Sequence, residues 1–411
     1  MNRARPAPAA IHYLTTNGVG NAWVANELRI LAREGVPFVL HALERPRTTF
    51  FDCAEVAAMN DATRPIYPLP VLGTALSWLL APFLFRGRFF GALWNALTGP
   101  RESARVRAKT LGHLAVACHW ARTVRGDAIA HIHSQWIHSG GSVAFYGAWL
   151  LGVPYSFTGH AADLFRERMA LRDKIARARF IVCISAFHRA FYLEEGARPE
   201  QLVTVYCGID VAHFAFREAE DPACAGHILS SGRLVEKKGF GYLIEACAEL
   251  AARGVAFRCT IAGSGPLEAP LRTQVSLSGL DDVVTLTGEP LSQEGLPDFM
   301  RTGAVYCLPC VEASDGDVDG LPQMLMEAMA CGLPAVSTDL VGIPDLIDET
   351  CGVLVAPNDS KALADALEAL LGDPARRAAL ARAGRARVEA RFNLADALDP
   401  LIARFRAELP S

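Results

Sequence analysis

The stretch Asp315–Thr338, DGDVDGLPQMLMEAMACGLPAVST, restricts the fold more than any other part of this sequence. A polar, acidic loop passes into LPQMLMEAMAC, which has few breakers and predicts a helix up to Gly332. Pro334 then opens a short apolar run that predicts a strand. Asp319 stands just ahead of the predicted helix, where free backbone N–H groups and the positive dipole end favour an acid. Glu327 lies inside it, with seven residues between the two acids. Its neighbours at helical spacing, Met324, Ala328, Ala330 and Cys331, are apolar or small. A carboxylate on such a surface needs partners with hydroxyl or N–H donors. A ribose would provide two hydroxyls; a capped helix with an internally satisfied Glu is the other reading.

Length and charge set the outer limits. A chain of 411 residues predicts two domains, each large enough for its own core. Hydrophobic residues make up 51% and mean hydropathy is +0.20, rich for a soluble protein. A net charge of -4 and a pI near 6.3 give no footing for a nucleic-acid partner. The N-terminal MNRARPAPAA is basic but no useful apolar stretch follows it, so no signal peptide is expected. The 11 cysteines, an odd number, are then expected as free thiols in a reducing, cytoplasmic setting. Cys307 and Cys310 have redox spacing. However, Pro309 and a loop follow where such a motif would start a helix, so structural thiols are expected.

The chain opens as a βαβ unit. Ala9–Leu14 reads as a buried strand, a helix is expected from about Ala22 to Arg33, and VPFVLHAL reads as the second strand. Gly18 and Gly20 in the first turn begin as a dinucleotide fingerprint does. Trp23 holds the third glycine position and would block close helix–strand packing, which argues against a nicotinamide site. Two small residues still let backbone N–H groups approach a phosphate or a sugar; a plain tight turn is the alternative.

Val71–Leu97 is the most apolar part of the chain, yet it contains Pro82 and is broken by Arg86 and Arg88, too short for a membrane span. Trp78, Phe83, Phe85, Phe89, Phe90 and Trp94 beside arginines suit a segment lying in a membrane interface. Arg101, Arg105, Arg107 and Lys109 are expected on the next helix. Two buried or acceptor-lining helices are the other reading. His131 and His133 share one strand face and are expected to be hydrogen-bonded or solvent-facing rather than metal ligands. His160 sits where a parallel strand should end, the usual ligand edge of an open α/β sheet; a helix-entry His bonding backbone is the alternative. Val211–Ala225 has no clear period and reads as linker. Beyond it, the strand His227–Ser231 leads to Arg233 and Lys238, two cations flanking a turn, a geometry that can neutralise a diphosphate.

With these residues in view, the chain resembles glycosyltransferase family 4, retaining enzymes of the GT-B fold. That family's signature is an acid, seven residues, a Glu, and then Ala-Met-Ala-x-Gly-x-Pro. AMACGLP at Ala328–Pro334 matches the tail throughout, Glu327 is the second acid, and the first, usually Glu, is Asp319. The resemblance implies an α/β fold of two Rossmann-like parallel-sheet domains facing across a cleft. An acceptor-side domain would occupy 1–210, a linker 211–226, a nucleotide-sugar-binding domain 227–390, and a C-terminal helix at 391–411 would cross back to the first domain. It implies catalytic roles for His160, Arg233 and Lys238, and donor binding by Gly18, Gly20, Asp319, Leu321 and Glu327. Arg233 and Lys238 would hold the diphosphate, Glu327 the ribose, and Asp319 and His160 the donor sugar.

The implied reaction moves a hexose-type sugar from a nucleotide-sugar donor to a glycan or lipid-linked acceptor. The style of DVDGLP is similar to bacterial exopolysaccharide or colanic-acid-type enzymes, and 71–97 would then contact the inner leaflet. Asp315 and Asp317 have the spacing of the metal-binding pair of the other large glycosyltransferase fold, GT-A, whose pattern is absent. They are expected in a solvent loop, with no metal and no cofactor beyond the nucleotide-sugar co-substrate. A nucleotide-sugar epimerase or phosphorylase on the same fold, and an inactive GT-B binding protein at the membrane, are the competing readings.

Overall fold

The structure, a computed structural model, describes residues 8–47, 49, 51, 53–101, 103–160, 164, 168–218 and 221–410. The chain divides into two compact units, one of Met1–Val205 with Leu398–Ser411 and one of Tyr206–Ala397. The N-terminal residues 1–7, read above for a signal peptide, lie outside the described residues.

The first unit is built on seven strands: β1 (Ala10–Thr15), β2 (Phe38–Ala42), β3 (Arg64–Pro65), β4 (Ile129–Gln135), β5 (Tyr155–Thr158), β6 (Phe180–Cys183) and β7 (Leu202–Thr204). They pair in the order β3-β2-β1-β4-β5-β6-β7, and every pairing is parallel. The second unit has six: β8 (His227–Ser231), β9 (Arg258–Ala262), β10 (Val284–Leu286), β11 (Val305–Leu308), β12 (Ala335–Thr338) and β13 (Gly352–Val355). Their order is β10-β9-β8-β11-β12-β13, again all parallel. Strands buried on both faces demand near-continuous apolar runs, and β1, β8, β11 and β12 are buried along their whole length. In each sheet the strand order reverses once, between β1 and β4 and between β8 and β11. The loops leaving the carboxyl ends of those strands part there and open a crevice, the usual ligand position in open α/β sheets.

In the second unit one glycine lets the two loops at the reversal meet. Gly239 follows the turn Glu236–Lys238 with φ 69°, and a Cβ there would stand 1.8 Å from the Pro309 carbonyl oxygen in the loop after β11. Neither the backbone angle nor the space admits a side chain, so Gly239 fixes Lys237 and Lys238 against Cys310 and its neighbours.

Three boundaries differ from the sequence reading. Residues 211–226 are not a linker: Val211, Phe214 and Cys224 are buried and the segment packs as part of the second unit. Those apolar anchors are spaced irregularly, which hid them from a periodicity argument. The final helix runs only Asp399–Glu408: Arg391 ends the helix Pro374–Arg391, and a short helix Leu394–Ala397 lies between the two. The helix Asp399–Glu408 belongs to the first unit, where Phe405 packs against Phe180 and His133 and Arg179 pairs with Glu408 at 3.0 Å. The helix after Asp315 is shorter than expected, Gln323–Ala330.

Val71–Leu97 forms the helices Val71–Phe85 and Gly87–Thr98, turning at Arg86. They are not core helices. Only Ser77, Ala81 and Phe85 of the first and Phe89, Ala92 and Ala96 of the second are buried. Leu72, Leu76, Leu79 and Phe83, and Phe90, Trp94 and Leu97, are exposed at helical spacing, Phe83 to 78%. Arg101 is not on the next helix, which runs Ala104–Val124: its side chain is fully buried, paired with Asp173 at 2.7 Å. Among the described residues, no helix is long and apolar enough to cross a membrane. His131 and His133 are buried on Ser156, at 2.6 and 2.7 Å, as bonded core histidines.

Replacing Gly239 by Ala is expected to lower unfolding free energy by about 2 kcal/mol or more, because both backbone strain and the clash with Pro309 must be relieved. Gly279→Ala has a similar left-handed φ of 66° but open space around the added methyl. It is expected to lower stability by only about 1 kcal/mol. Denaturant midpoints of the two variants test the difference.

Candidate functional site

In the second unit, Lys238 Nζ lies 2.6 Å from Asp319 Oδ2, Lys237 Nζ 3.2 Å from Asp319 Oδ1, and Lys237 Nζ 3.1 Å from Asp317. Two cations and two anions thus interlock between the loop after β8 and the loop after β11, each side chain more than four-fifths buried. Burial alone would push Lys238 down and Asp319 up. The opposite charges outweigh it, so Lys238 is held above and Asp319 below its ordinary range.

This geometry revises two readings. Asp319 does not act at a helix N-terminus: the helix starts at Gln323 behind Pro322, and the carboxylate serves the two lysines. Asp317 is not solvated but committed to Lys237, and among the described residues no group of three His, Cys, Asp or Glu is placed to hold a metal. Arg233 is exposed beside Lys238, whose pKa its charge lowers, and no ion pair or hydrogen bond engages its guanidinium among the described residues. It is the cation left available to an incoming anion. Cys310 touches Asp319 Oδ2 at 3.7 Å. Burial pushes its thiol, and that of Cys307, far above the ordinary range, which disfavours the reactive thiolate at both positions.

Glu327 is buried on the helix Gln323–Ala330. Burial pushes it up to about 7, while a hydrogen bond from Gln293 and the Lys238 charge pull the other way. Its Oε2 is buried and has no hydrogen-bond partner among the described residues. An unsatisfied carboxylate oxygen in the core is costly and asks for a donor. The Leu321 side chain is buried in the apolar core of this unit. Arg233, Lys238, Asp319 and Glu327 are therefore brought together around Lys238, and Lys237 and Gln293 join them. Lys237 was legible as the neighbour of Lys238. Gln293 carries no signal of its own in the sequence.

In the first unit, His160 follows β5. Its Nε2 meets Gln135 Oε1, at the end of β4, at 2.8 Å. Gln135 Nε2 reaches Glu27 at 2.9 Å and the Tyr13 hydroxyl at 2.6 Å, and Tyr13 donates in turn to Glu27. Trp23 and Trp136 flank His160 with ring centroids at 5.6 and 4.6 Å. Trp136 is held there with φ 95°, a strained angle for a bulky residue. Its N–H bonds Thr158 and its carbonyl accepts from Ser134, both at 2.9 Å. Burial, with the His188 and His138 charges adding to it, pushes His160 down to about 3, so the ring is neutral. Burial pushes Glu27 up to about 7 against the hydrogen bonds from Tyr13 and Gln135. Gly18 and Gly20 lie in the turn after β1. Gly18 has φ 56° and donates to Thr15 Oγ1 at 2.7 Å. In the same turn Thr16 Oγ1 and Asn17 Oδ1 are buried without partners among the described residues. Sequence reading missed Glu27, Gln135 and Tyr13, and took Trp23 only as an obstacle.

The raised Glu327 has a measurable consequence. The folded protein keeps this proton after an unfolded Glu, with its pKa near 4.5, has lost it. The contribution is therefore fully present below about pH 4.5 and is lost as pH rises through about 7. Glu327→Gln is expected to stabilise the ligand-free protein at pH 8 relative to wild type, by of order 2–3 kcal/mol, and to have little effect near pH 4.5. Denaturant unfolding of both proteins at the two pH values checks this.

Residues 225–373 match the family model described as glycosyl transferases group 1, and residues 95–213 the model described as glycosyltransferase family 4. WcaL of Escherichia coli (strain K12), named for colanic acid biosynthesis, is 41% identical over 200 residues, 48% of this chain and 49% of that one. The amylovoran biosynthesis glycosyltransferase AmsK of Erwinia amylovora is 36% identical over 242 residues, 57% of this chain and 59% of its own. The chain thus spans about half the length of the curated relatives it matches. The crystal structure of Anabaena Alr3699/HepE in complex with UDP superposes with a TM-score of 0.69 at 16% identity, over 97% of this chain and 100% of that one. Both matched models are of glycosyltransferases, and the two parallel-sheet units are those of the GT-B fold.

Proposed function

We propose that the chain transfers a hexose-type sugar from a nucleotide-sugar donor to a hydroxyl of a glycan or lipid-linked acceptor, with retention at the anomeric carbon. The process would be cell-surface polysaccharide synthesis, on the cytoplasmic side of the membrane. The observation that carries this reading is the convergence of Arg233, Lys238, Asp319 and Glu327 at one sheet crevice, with Glu327 Oε2 lacking a partner. A nucleoside diphosphate sugar answers both needs, since its phosphates are anionic and its ribose donates hydroxyl hydrogens. The relatives named for colanic acid and amylovoran biosynthesis, and the UDP in the Alr3699/HepE structure, support the same class.

In this mechanism Arg233 and Lys238 stabilise charge growing on the departing diphosphate, a preorganised electrostatic role. The acceptor hydroxyl attacks from the front face and passes its proton toward the leaving phosphate. Asp319 keeps Lys238 charged and aimed in a poorly solvated place, and shares it with the incoming phosphate. At one methylene shorter than Glu, its carboxylate ends at the lysines. Glu327 accepts from the ribose and His160 orients the donor sugar. Turnover without a metal is proposed, because Asp317 and Asp319 already bind lysine ammonium groups.

A lipid-linked acceptor suits the exposed faces of Val71–Phe85 and Gly87–Thr98. No Asp or Glu occurs between Asp61 and Glu102, and Arg86 and Arg88 lie at the helical turn, so an anionic leaflet would meet no repulsion. Pairing Leu79→Glu with Phe83→Glu is expected to release the protein from anionic vesicles without lowering its thermal midpoint, since both side chains are already exposed. Vesicle flotation reads the outcome, and undiminished flotation removes the membrane contact.

Screening the purified protein against UDP-, GDP- and ADP-sugars for donor hydrolysis, then for transfer with candidate acceptors, tests the activity. Lys238→Ala and Glu327→Ala are each expected to lower transfer by at least about tenfold while circular dichroism stays that of the folded protein. A near wild-type rate for either variant removes the role given to that residue. Activity lost to a chelator and restored by manganese would overturn metal independence.

A further inference from the structure

We propose that Trp23 and Trp136, with Thr16 and Asn17, form the subsite for the acceptor, and that the acceptor presents a sugar ring there. The sugar-ring site stands on geometry and chemistry alone; its assignment to the acceptor rests on the transfer reaction proposed above.

Four polar groups at one end of the first sheet lack partners. Thr16 Oγ1, Asn17 Oδ1, Trp23 Nε1 and Trp136 Nε1 are each buried without a hydrogen bond among the described residues. Thr16 and Asn17 leave the end of β1, Trp23 lies in the first turn of the helix Ala22–Arg33, and Trp136 leaves the end of β4. β1 and β4 are paired neighbours and the strand order reverses between them, so all four stand at the crevice of this sheet. The two indole rings meet edge to face, centroids 6.0 Å apart at 65°, and both side chains are half-buried. An unpaired buried donor or acceptor costs stability and calls for an explanation.

Trp136 is kept in place at a further cost. Its φ is 95°, and the helix Ser139–Leu151 clears it only through Gly141, where a Cβ would stand 2.3 Å from the Trp136 carbonyl oxygen. Strained backbone persists where the surrounding structure holds it, and it gathers at ligand sites.

The donor and acceptor types select the ligand. An indole N–H only donates, an amide oxygen only accepts, and a hydroxyl does both. None of the four groups carries a charge. Their partner must bring acceptor oxygens and O–H hydrogens together, without charge, and an apolar face for the rings. A pyranose does all of this: its oxygens accept, its hydroxyls donate, and its C–H face lies on an indole. A phosphate brings a charge that none of the four answers, and Trp23 fills the third glycine position of a phosphate-binding turn. A hydrocarbon chain leaves all four unpaired.

The reaction involves two sugars. With Arg233 and Lys238 on the donor's phosphates, Glu327 on its ribose and His160 on its sugar, the acceptor is still without a contact. Trp136 lies against His160, ring centroids 4.6 Å apart. A ring held on the tryptophans therefore lies next to the donor sugar, where an attacking hydroxyl must be.

Indole N–H signals of protein labelled at tryptophan nitrogen read the site directly. The chain has six tryptophans, and Trp23→Phe and Trp136→Phe assign the two signals of interest. Titration with the methyl glycosides of glucose, galactose, mannose and N-acetylglucosamine is expected to shift both signals saturably for at least one glycoside and to leave the rest in place. Inorganic phosphate is expected to shift neither. If no glycoside moves them, or phosphate alone does, the proposal is overturned. Movement by a nucleotide-sugar and by no glycoside gives the subsite to the donor and overturns the acceptor role.

Transfer assays with the responding glycoside as acceptor add a second measurement. Phe keeps an aromatic ring and removes an N–H that is unpaired in the free protein, so neither variant is expected to lower the thermal midpoint. Each is expected to raise KM for the acceptor by roughly tenfold and KM for the donor by far less. A lowered midpoint with unchanged acceptor KM marks a merely structural tryptophan and overturns the proposal, as do equal rises in both KM values. Glycoside shifts in a wild-type protein that transfers from no donor would refute the transfer reaction and leave the sugar-ring site standing.

Discussion

The interlocked pairs of Lys237 and Lys238 with Asp317 and Asp319 are the interaction on which the second unit's chemistry depends. Ions taken out of water are tolerated only when opposite charges and hydrogen bonds replace the solvent. Here the charges balance within four side chains, so the crevice can carry ammonium groups without solvent around them. The pairs exist only because β8 and β11 are neighbours although 73 residues, 232–304, part them in sequence. They also need Gly239 to let the two loops touch. A sheet of consecutive neighbours would leave Lys238 and Asp319 on distant edges. Topology, a backbone angle and electrostatics are thus successive conditions on one ion cluster, and Arg233, outside the cluster, stays unpaired among the described residues.

How much of this could be read in advance depends on what kind of regularity each part carries. The signature around Glu327 is local and its spacing is fixed by a helix, so both acids and the tail AMACGLP are readable in one stretch. The strand and helix alternation is likewise local, and both parallel sheets follow from it. The partner of Asp319 is not local. A helix-capping role fits an acid just ahead of an apolar period, and only the non-sequential pairing of β8 with β11 shows that two lysines claim it. Glu27 and Gln135 are harder still, being more than a hundred residues apart on elements with ordinary apolar patterns. Residues 211–226 were misread for a related reason: irregularly spaced anchors such as Val211 and Phe214 leave no period behind.

The helices Val71–Phe85 and Gly87–Thr98 show a different limit. The hydropathy of Val71–Phe85 is high all round, and composition alone cannot say which of its faces is covered. The structure supplies the phase. Small or aromatic positions at four-residue spacing pack inward, and leucines, phenylalanines and a tryptophan at the same spacing face outward. Arg101, which the sequence groups with Arg105, Arg107 and Lys109, instead neutralises the Asp173 carboxylate. One arginine is therefore a core ion and its neighbours at the turn are surface ions, a distinction made by depth and not by spacing.

The two raised glutamates make the sharpest comparison in the molecule. Burial lifts both Glu27 and Glu327 to about 7, so the shift by itself does not separate them. Their hydrogen bonds do. Each oxygen of Glu27 has a donor from within its own unit, from Tyr13 and from Gln135, and the group is complete as it stands. Glu327 has Gln293, while its Oε2 has nothing among the described residues. A completed buried carboxylate fixes its neighbours, which is how Glu27 orients Gln135. An incomplete one destabilises the ligand-free protein and regains that free energy when a donor arrives, so its strain is convertible into binding. Perturbed titration therefore marks both residues as unusual, and the tally of donors and acceptors separates a carboxylate whose oxygens both have donors from one that still has an oxygen without a donor among the described residues.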